Sequence, residues 1–158
     1  MRRSVLLSLA VLIGACAGPQ GGHACTEIGC VDGLTLQPAA GTTWAPGAYR
    51  FELEVDGETV TCTGALPLPP CGPPAITCDR ERVVTITESG CALPPSQHGF
   101  GDLHFPGAPE TVTIEIERDG RTLTRQTFTP TYQTTQPNGP GCPPTCTQGS
   151  ETFALEAD

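Results

Sequence analysis

The chain has no lysine. Its eight basic residues are all arginine, they face seventeen acidic side chains, and the formal net charge is −9. A surface this acidic repels phosphate backbones and anionic headgroups. It excludes nucleic acid as a partner and electrostatic attachment to anionic lipid. Methionine occurs once, as Met1, so a processed chain has no thioether for a copper site. One Trp, two Tyr and five Phe limit the core to a modest size. No apolar run reaches the roughly 20 residues of a membrane-crossing helix. No helical period appears beyond the first fifteen positions. No serine stands in a Gly-x-Ser-x-Gly elbow. No glycine-rich loop opens a helix to cradle phosphate.

What the chain does have begins with a leader. Arg2 and Arg3 precede Val5 to Ile13, which is apolar except for Ser8, and the small residues Gly14 and Ala15 follow. A basic start, a short apolar stretch and small residues make a secretory signal. Removing it takes the formal charge from −9 to −11, because Arg2 and Arg3 leave with it.

Ile13-Gly14-Ala15-Cys16 resembles the lipobox of bacterial lipoproteins. The resemblance implies a diacylglycerol on the Cys16 thiol, cleavage just before Cys16, and acylation of the new amine. Residues 1–15 are then the signal peptide, 16–24 the lipidated cysteine and tether, and 25–158 the folded domain. The implied localisation is the cell envelope, lipid-anchored. Ala17 rather than an aspartate follows the cysteine, which points to the outer rather than the inner membrane.

Cysteine parity agrees with this reading. Nine cysteines are present, an odd number for an exported chain. Setting Cys16 aside leaves Cys25, Cys30, Cys62, Cys71, Cys78, Cys91, Cys142 and Cys146. Eight cysteines in an oxidising compartment predict four disulfides. Eight cysteines allow 105 connectivities, and spacing does not choose among them; the pairing taken as the expectation joins Cys62 to Cys91 and Cys71 to Cys78. The terminal four pair among themselves and pin the N-terminal segment to the C-terminal loop.

The body of the chain reads as strands. Tyr49, Phe51, Leu53 and Val55 alternate with Arg50, Glu52, Glu54 and Asp56, the period of a strand with one buried face. Asp56-Gly57 then makes a two-residue hairpin turn, which sets Leu53 opposite Val60 and Phe51 opposite Cys62. Thr111 to Arg118, Asp119-Gly120 and Arg121 to Phe128 form a second hairpin. There Ile116 faces Leu123 but Ile114 faces Arg125, a mismatch that calls for a bulge or an exposed edge. Further strands are expected at Ile28 to Leu36, Arg82 to Glu88, Phe100 to Phe105 and Thr152 to Leu155. The 19 glycines and 17 prolines fall mostly between these runs, as turns do. Phe51 to Thr61 (FELEVDGETVT) and Ile114 to Thr124 (IEIERDGRTLT) resemble each other at an offset of 63 residues. Convergence on a common hairpin accounts for this more simply than duplication.

About seven short strands separated by turns predict an all-β fold, a single antiparallel β-sandwich stapled by disulfides. The pattern resembles bacterial immunoglobulin-like domains. The mature chain also resembles a group of bacterial lipoproteins with no assigned activity. The matching stretches are Cys25 to Cys30, Arg118-Asp119-Gly120 and Pro137 to Cys146. That resemblance adds no functional residues, and no cofactor is expected.

Candidate sites are few. Cys142-x3-Cys146 has a permissible zinc spacing, but exported cysteines form disulfides. His98 and His104 flank Gly99-Phe100-Gly101 and are candidates for a shared metal, with His104 also a candidate base; His23 lies in the tether. Glu52, Glu54 and Asp56, and likewise Glu115, Glu117 and Asp119, line strand faces and not the converging loops that calcium needs. The expected role is a binding or structural module, held to the membrane by its lipid, whose partner is an envelope protein or polysaccharide. Its expected contact surface is the loop Gln133 to Thr147, with closure of one end of the sandwich as the alternative role of that loop. An enzyme with a loop-built site and a metal-handling protein using His98 and His104 are the alternatives.

Overall fold

A computed structural model describes residues 24–156. Cys16, the leader, His23 and the rest of the tether lie outside the described residues. The fold is all-β. Ten strands follow one another: β1 (Gly33–Pro38), β2 (Gly47–Val55), β3 (Glu58–Leu66), β4 (Thr77–Cys78), β5 (Thr85–Ser89), β6 (Gly99–Phe105), β7 (Val112–Arg118), β8 (Arg121–Phe128), β9 (Gln133–Thr135) and β10 (Cys146–Phe153). One sheet runs β5-β6-β1-β10-β9 and the other β4-β3-β2-β7-β8. The only helical piece among the described residues is a three-residue turn at Pro95–Gln97.

The two sheets share one core. Leu34, Leu36, Leu103, Phe105 and Phe153 come from the first, and Phe51, Leu53, Val60, Ile114 and Ile116 from the second; all are fully buried. The period-two alternation produces this directly. In β2 the apolar set turns inward, while Arg50, Glu52 and Glu54 turn out. Trp44 closes one end of the core by packing edge-on against Tyr49 and Phe100, with ring centroids 5.5 and 5.1 Å away.

The first hairpin has the expected register, Leu53 opposite Val60 and Phe51 opposite Cys62. Asp56 and Gly57 both take positive φ, as the turn requires. In the second hairpin the expected bulge falls between Ile116 and Glu117. It frees Leu123 to turn into the core, 3% exposed, and sets Arg125 opposite Glu115, where their side chains pair at 3.1 Å. The two hairpins lie side by side with β2 against β7 in a pseudo-twofold arrangement. Phe51 pairs with Ile116, and at the 63-residue offset Ile114 pairs with Leu53. The turn aspartates repeat the relation. Asp56 accepts from Thr111 N at 2.8 Å and donates its own N–H to Thr111 O at 3.0 Å. Asp119 does the same with Ala48, at 2.9 and 2.8 Å.

Three expectations are corrected. The sandwich is not wholly antiparallel, because β1 and β10 run parallel from Gly33 opposite Gln148 to Pro38 opposite Phe153. Disulfides Cys25–Cys142 and Cys30–Cys146 set the two approach segments side by side, so both strands leave the same end in one direction. Among the described residues the strands number ten and not about seven, the surplus being chiefly β4 and β9, of two and three residues. Third, Cys62 bonds Cys78 and Cys71 bonds Cys91. Cys78 returns on β4 directly opposite Cys62, which leaves Cys71 and Cys91 to join two loops. Strand limits also shift. Ile28 to Asp32 precede β1 because hydrogen bonds and Cys30 hold that stretch against the C-terminal loop. Arg82 sits in a turn at φ 66°, so β5 starts at Thr85. The polar run Cys146 to Thr152 belongs to β10 although it shows no apolar alternation. The pairing of the terminal four among themselves stands as expected.

Four disulfides place the domain in an oxidising compartment outside the cytoplasm. Among the described residues no helix is long and apolar enough to cross a membrane.

The two terminal disulfides close nearly the same loop, with sequence separations of 117 and 116. Either alone restrains the long chain, and the second then closes only a ring of roughly a dozen residues. Chain-entropy arithmetic predicts a loss of about 3 kcal/mol when one pair is replaced by serines, and about 7 kcal/mol when both are replaced. A double-mutant cycle in guanidinium checks this; strictly additive losses would contradict the shared-loop account.

Candidate functional site

Strand directions give the sandwich two ends. One holds the N-terminal segment 24–32, the β6–β7 connection and the β9–β10 loop; we call it the clamped end. The other, the far end, holds the connections β1–β2, β3–β4 and β5–β6.

At the clamped end the loop Gln133 to Thr147 is occupied by the chain itself. Its first three residues are β9. The Asn138 side chain accepts the Ile28 N–H at 2.9 Å, and donates to Ile28 O at 2.9 Å and Pro143 O at 2.6 Å. It also accepts the Thr26 hydroxyl. Asp32 Oδ1 accepts Thr147 N–H at 2.6 Å, and Gln148 Nε2 donates to Val31 O at 2.9 Å. Cys142 and Cys146 are both buried. This loop, expected as the contact surface, closes one end of the sandwich, and its most distinctive side chain faces the protein's own N-terminal segment.

The histidines do not come together. His98 is 7% exposed. Its Nδ1 accepts Leu68 N–H at 2.9 Å, and its Nε2 lies 2.9 Å from Leu93 O. An amide must donate and a carbonyl must accept, so the ring is the neutral Nε2–H tautomer with both nitrogens occupied. His104 lies toward the other end of β6, on the outward face, with Nδ1 3.4 Å from Thr35 Oγ1. Among the described residues no three His, Cys, Asp or Glu side chains are grouped to hold a metal ion. Three strand-face carboxylates are drawn into ion pairs. Glu52 and Glu117 flank Arg50; hydrogen bonding to Glu52 is the first cause that raises the Arg50 pKa. Glu115 holds Arg125. Asp56 and Asp119 bind neighbouring backbone.

The far end carries two exposed loops without charged side chains, beside the Asp119-Gly120 turn. Leu66 to Cys78 and Ser89 to Gly101 contain no aspartate, glutamate or arginine. Cys71–Cys91 joins the two loops at their tips. His98 joins them again beneath, bridging Leu68 to Leu93. Glu88 Oε1 accepts both Ala75 N–H and Ile76 N–H at 2.7 Å, fixing the first loop to β5. Leu68 plugs into the core at 6% exposure, whereas Leu93 stands out at 52%. Pro69, Pro70, Pro73, Pro74, Pro94 and Pro95 are exposed around it. Between the Pro69–Pro74 wall and the edge strand β5 runs a groove of about 370 Å³. A second groove, of about 570 Å³, lies on the outer face of the first sheet and is lined by hydroxyl and amide groups such as Thr35, Gln37, Gln133 and Ser150. The sequence signal for the far end was two charge-free proline clusters, Pro67 to Pro74 around Cys71 and Pro94-Pro95 beside Cys91. Assigning Cys71 to Cys78 hid it.

No family model, no curated protein and no solved structure matches the chain.

His98→Ala strands a buried N–H and a carbonyl between the two far-end loops. The expected loss is about 2–4 kcal/mol, with faster amide exchange from Leu66 to Ile76. His104→Ala is expected to stay within about 0.5 kcal/mol of wild type. Equal losses for the two, read by chemical denaturation, would contradict the bridging role of His98.

Proposed function

We propose that the protein is a lipoprotein of the bacterial cell envelope, anchored through lipid on Cys16 and working as a binding module rather than an enzyme. In this reading the two packed sheets are an immunoglobulin-like scaffold. The clamped end faces the membrane and the far end presents the proline-rich surface to an envelope protein. One observation carries the reading. The segment that leads back to Cys16 is bolted to one end of the domain, and the exposed, charge-free, doubly cross-linked loops stand at the other. Loops on a rigid scaffold are where recognition commonly resides. Cross-linking lowers the ordering cost of binding, because the loops are held before a partner arrives. A polysaccharide partner would instead use the amide-lined groove on the first sheet. Ala17 after the cysteine favours the outer membrane.

Cys16→Ser cells grown with a fatty-acid analogue test the anchor. The expected result is loss of label and release of the protein from the membrane fraction. Label equal to wild type would overturn it. A photoreactive amino acid at Leu93 is expected to capture a partner protein in intact cells, whereas the same group at Glu54, on the acidic outer face, captures little. Equal yields at the two positions would remove the far end from the account.

A further inference from the structure

Three large apolar side chains stand exposed among the described residues, and two of them, Ile28 at 55% and Val31 at 66%, fall within four residues of each other at the clamped end. Their position is imposed. Asn138 holds both the N–H and the carbonyl of Ile28. Gln148 holds the carbonyl of Val31. Between them Cys30 is tied to buried Cys146. The backbone therefore cannot turn these side chains into the core.

We infer that Ile28 and Val31 rest in the lipid surface and fix the orientation of the domain on the membrane. The inference builds on the anchor at Cys16 proposed above. The chain preceding Ala24 says what covers the pair. Only Ala17 to Ala24 separate Cys16 from the fold, a span of at most roughly 26–29 Å fully extended. Acyl chains on Cys16 therefore hold this end of the domain within reach of the bilayer. Two apolar side chains are too few to bring a free domain out of solution. On a short tether the local concentration of membrane is high, and a weak contact is enough.

The charge pattern selects the mode of contact. Residues 24–49 contain no arginine, and Gln133 to Gln148 contain no charged side chain. Attraction to anionic headgroups is absent, and Glu27 and Asp32 nearby oppose it. The contact is made by apolar side chains reaching acyl chains, is insensitive to salt on zwitterionic lipid, and weakens as anionic lipid is added.

The test uses full-length lipidated protein in phosphatidylcholine vesicles containing brominated phosphatidylcholine. Mass spectrometry first counts the acyl chains on Cys16; their absence would sink the anchor reading and this inference together. With the chains present, Ile28→Trp and Leu93→Trp are compared, each against the Trp44 background. Both sites are exposed, and an unchanged near-ultraviolet dichroism of the remaining core establishes that each variant folds. Quenching of Ile28→Trp is expected to exceed that of Leu93→Trp roughly twofold or more, and to fall when phosphatidylglycerol is mixed in. Equal quenching, or none at Ile28→Trp, would overturn the inference while leaving the anchor intact. So would shielding of Ile28→Trp from aqueous acrylamide without bromolipid quenching, which would assign the surface to a second copy or another protein. Ile28→Asp with Val31→Asp is expected to keep the protein on the vesicles yet let it tumble faster, read by anisotropy of Trp44; unchanged anisotropy would count against the inference.

Discussion

The structure depends on one constraint, the double disulfide clamp between the N-terminal segment and the β9–β10 loop. Cys25–Cys142 and Cys30–Cys146 bring residues more than a hundred positions apart to one end of the sandwich. Once they are side by side, β1 and β10 must leave in the same direction, and their parallel ladder forms the middle of the first sheet. A parallel pair needs its ends brought together by something other than a tight turn. Here covalent bonds do so, helped by Asn138 and Asp32. A core with only eight aromatic residues in the chain gains from this, because cross-links restrain the unfolded chain as burial alone would not.

The second sheet is organised differently. Its centre is two hairpins that each form locally and then meet across β2 and β7. The same aspartate serves twice in each. It accepts the positive φ of the turn, and its carboxylate holds a backbone amide flanking the opposite hairpin. Local turn chemistry and long-range docking thus fall on one residue, which explains why the Asp-Gly pair recurs at the same offset.

Much of this sheet was legible in the sequence. Tyr49 to Val55 alternates so regularly that one register alone buries its apolar set, and the conflict of Ile114 with Arg125 announced a bulge. Strand direction in the first sheet was not legible, because a period of two is the same read either way. Nor was the Cys62–Cys78 bond, which rests on β4, a strand of two residues that no pattern can mark. His98 illustrates the limit for sites. It joins Leu68 to Leu93, and a side chain bonding the backbone thirty residues away leaves no local signature. The loop Gln133 to Thr147 reads from its sequence either as a polar, proline-rich recognition surface or as the closure of one end, and no local pattern marks that its Asn138 holds Thr26 and Ile28. Proline marks both ends of this molecule, and burial and hydrogen bonding separate the end that closes the fold from the end that stands open.

The clamp also decides how the domain carries load. A pull between the N-terminal side of the domain and the far end enters the fold at Cys25 and passes within a few residues to Cys142 and Cys146. The first strand is therefore not peeled away from its terminus. The force divides between two parallel strands and runs along their length, so that their hydrogen bonds are sheared together and not opened one at a time. With both bonds intact, no slack can be drawn from the N-terminal side before the whole ladder between β1 and its neighbours gives way.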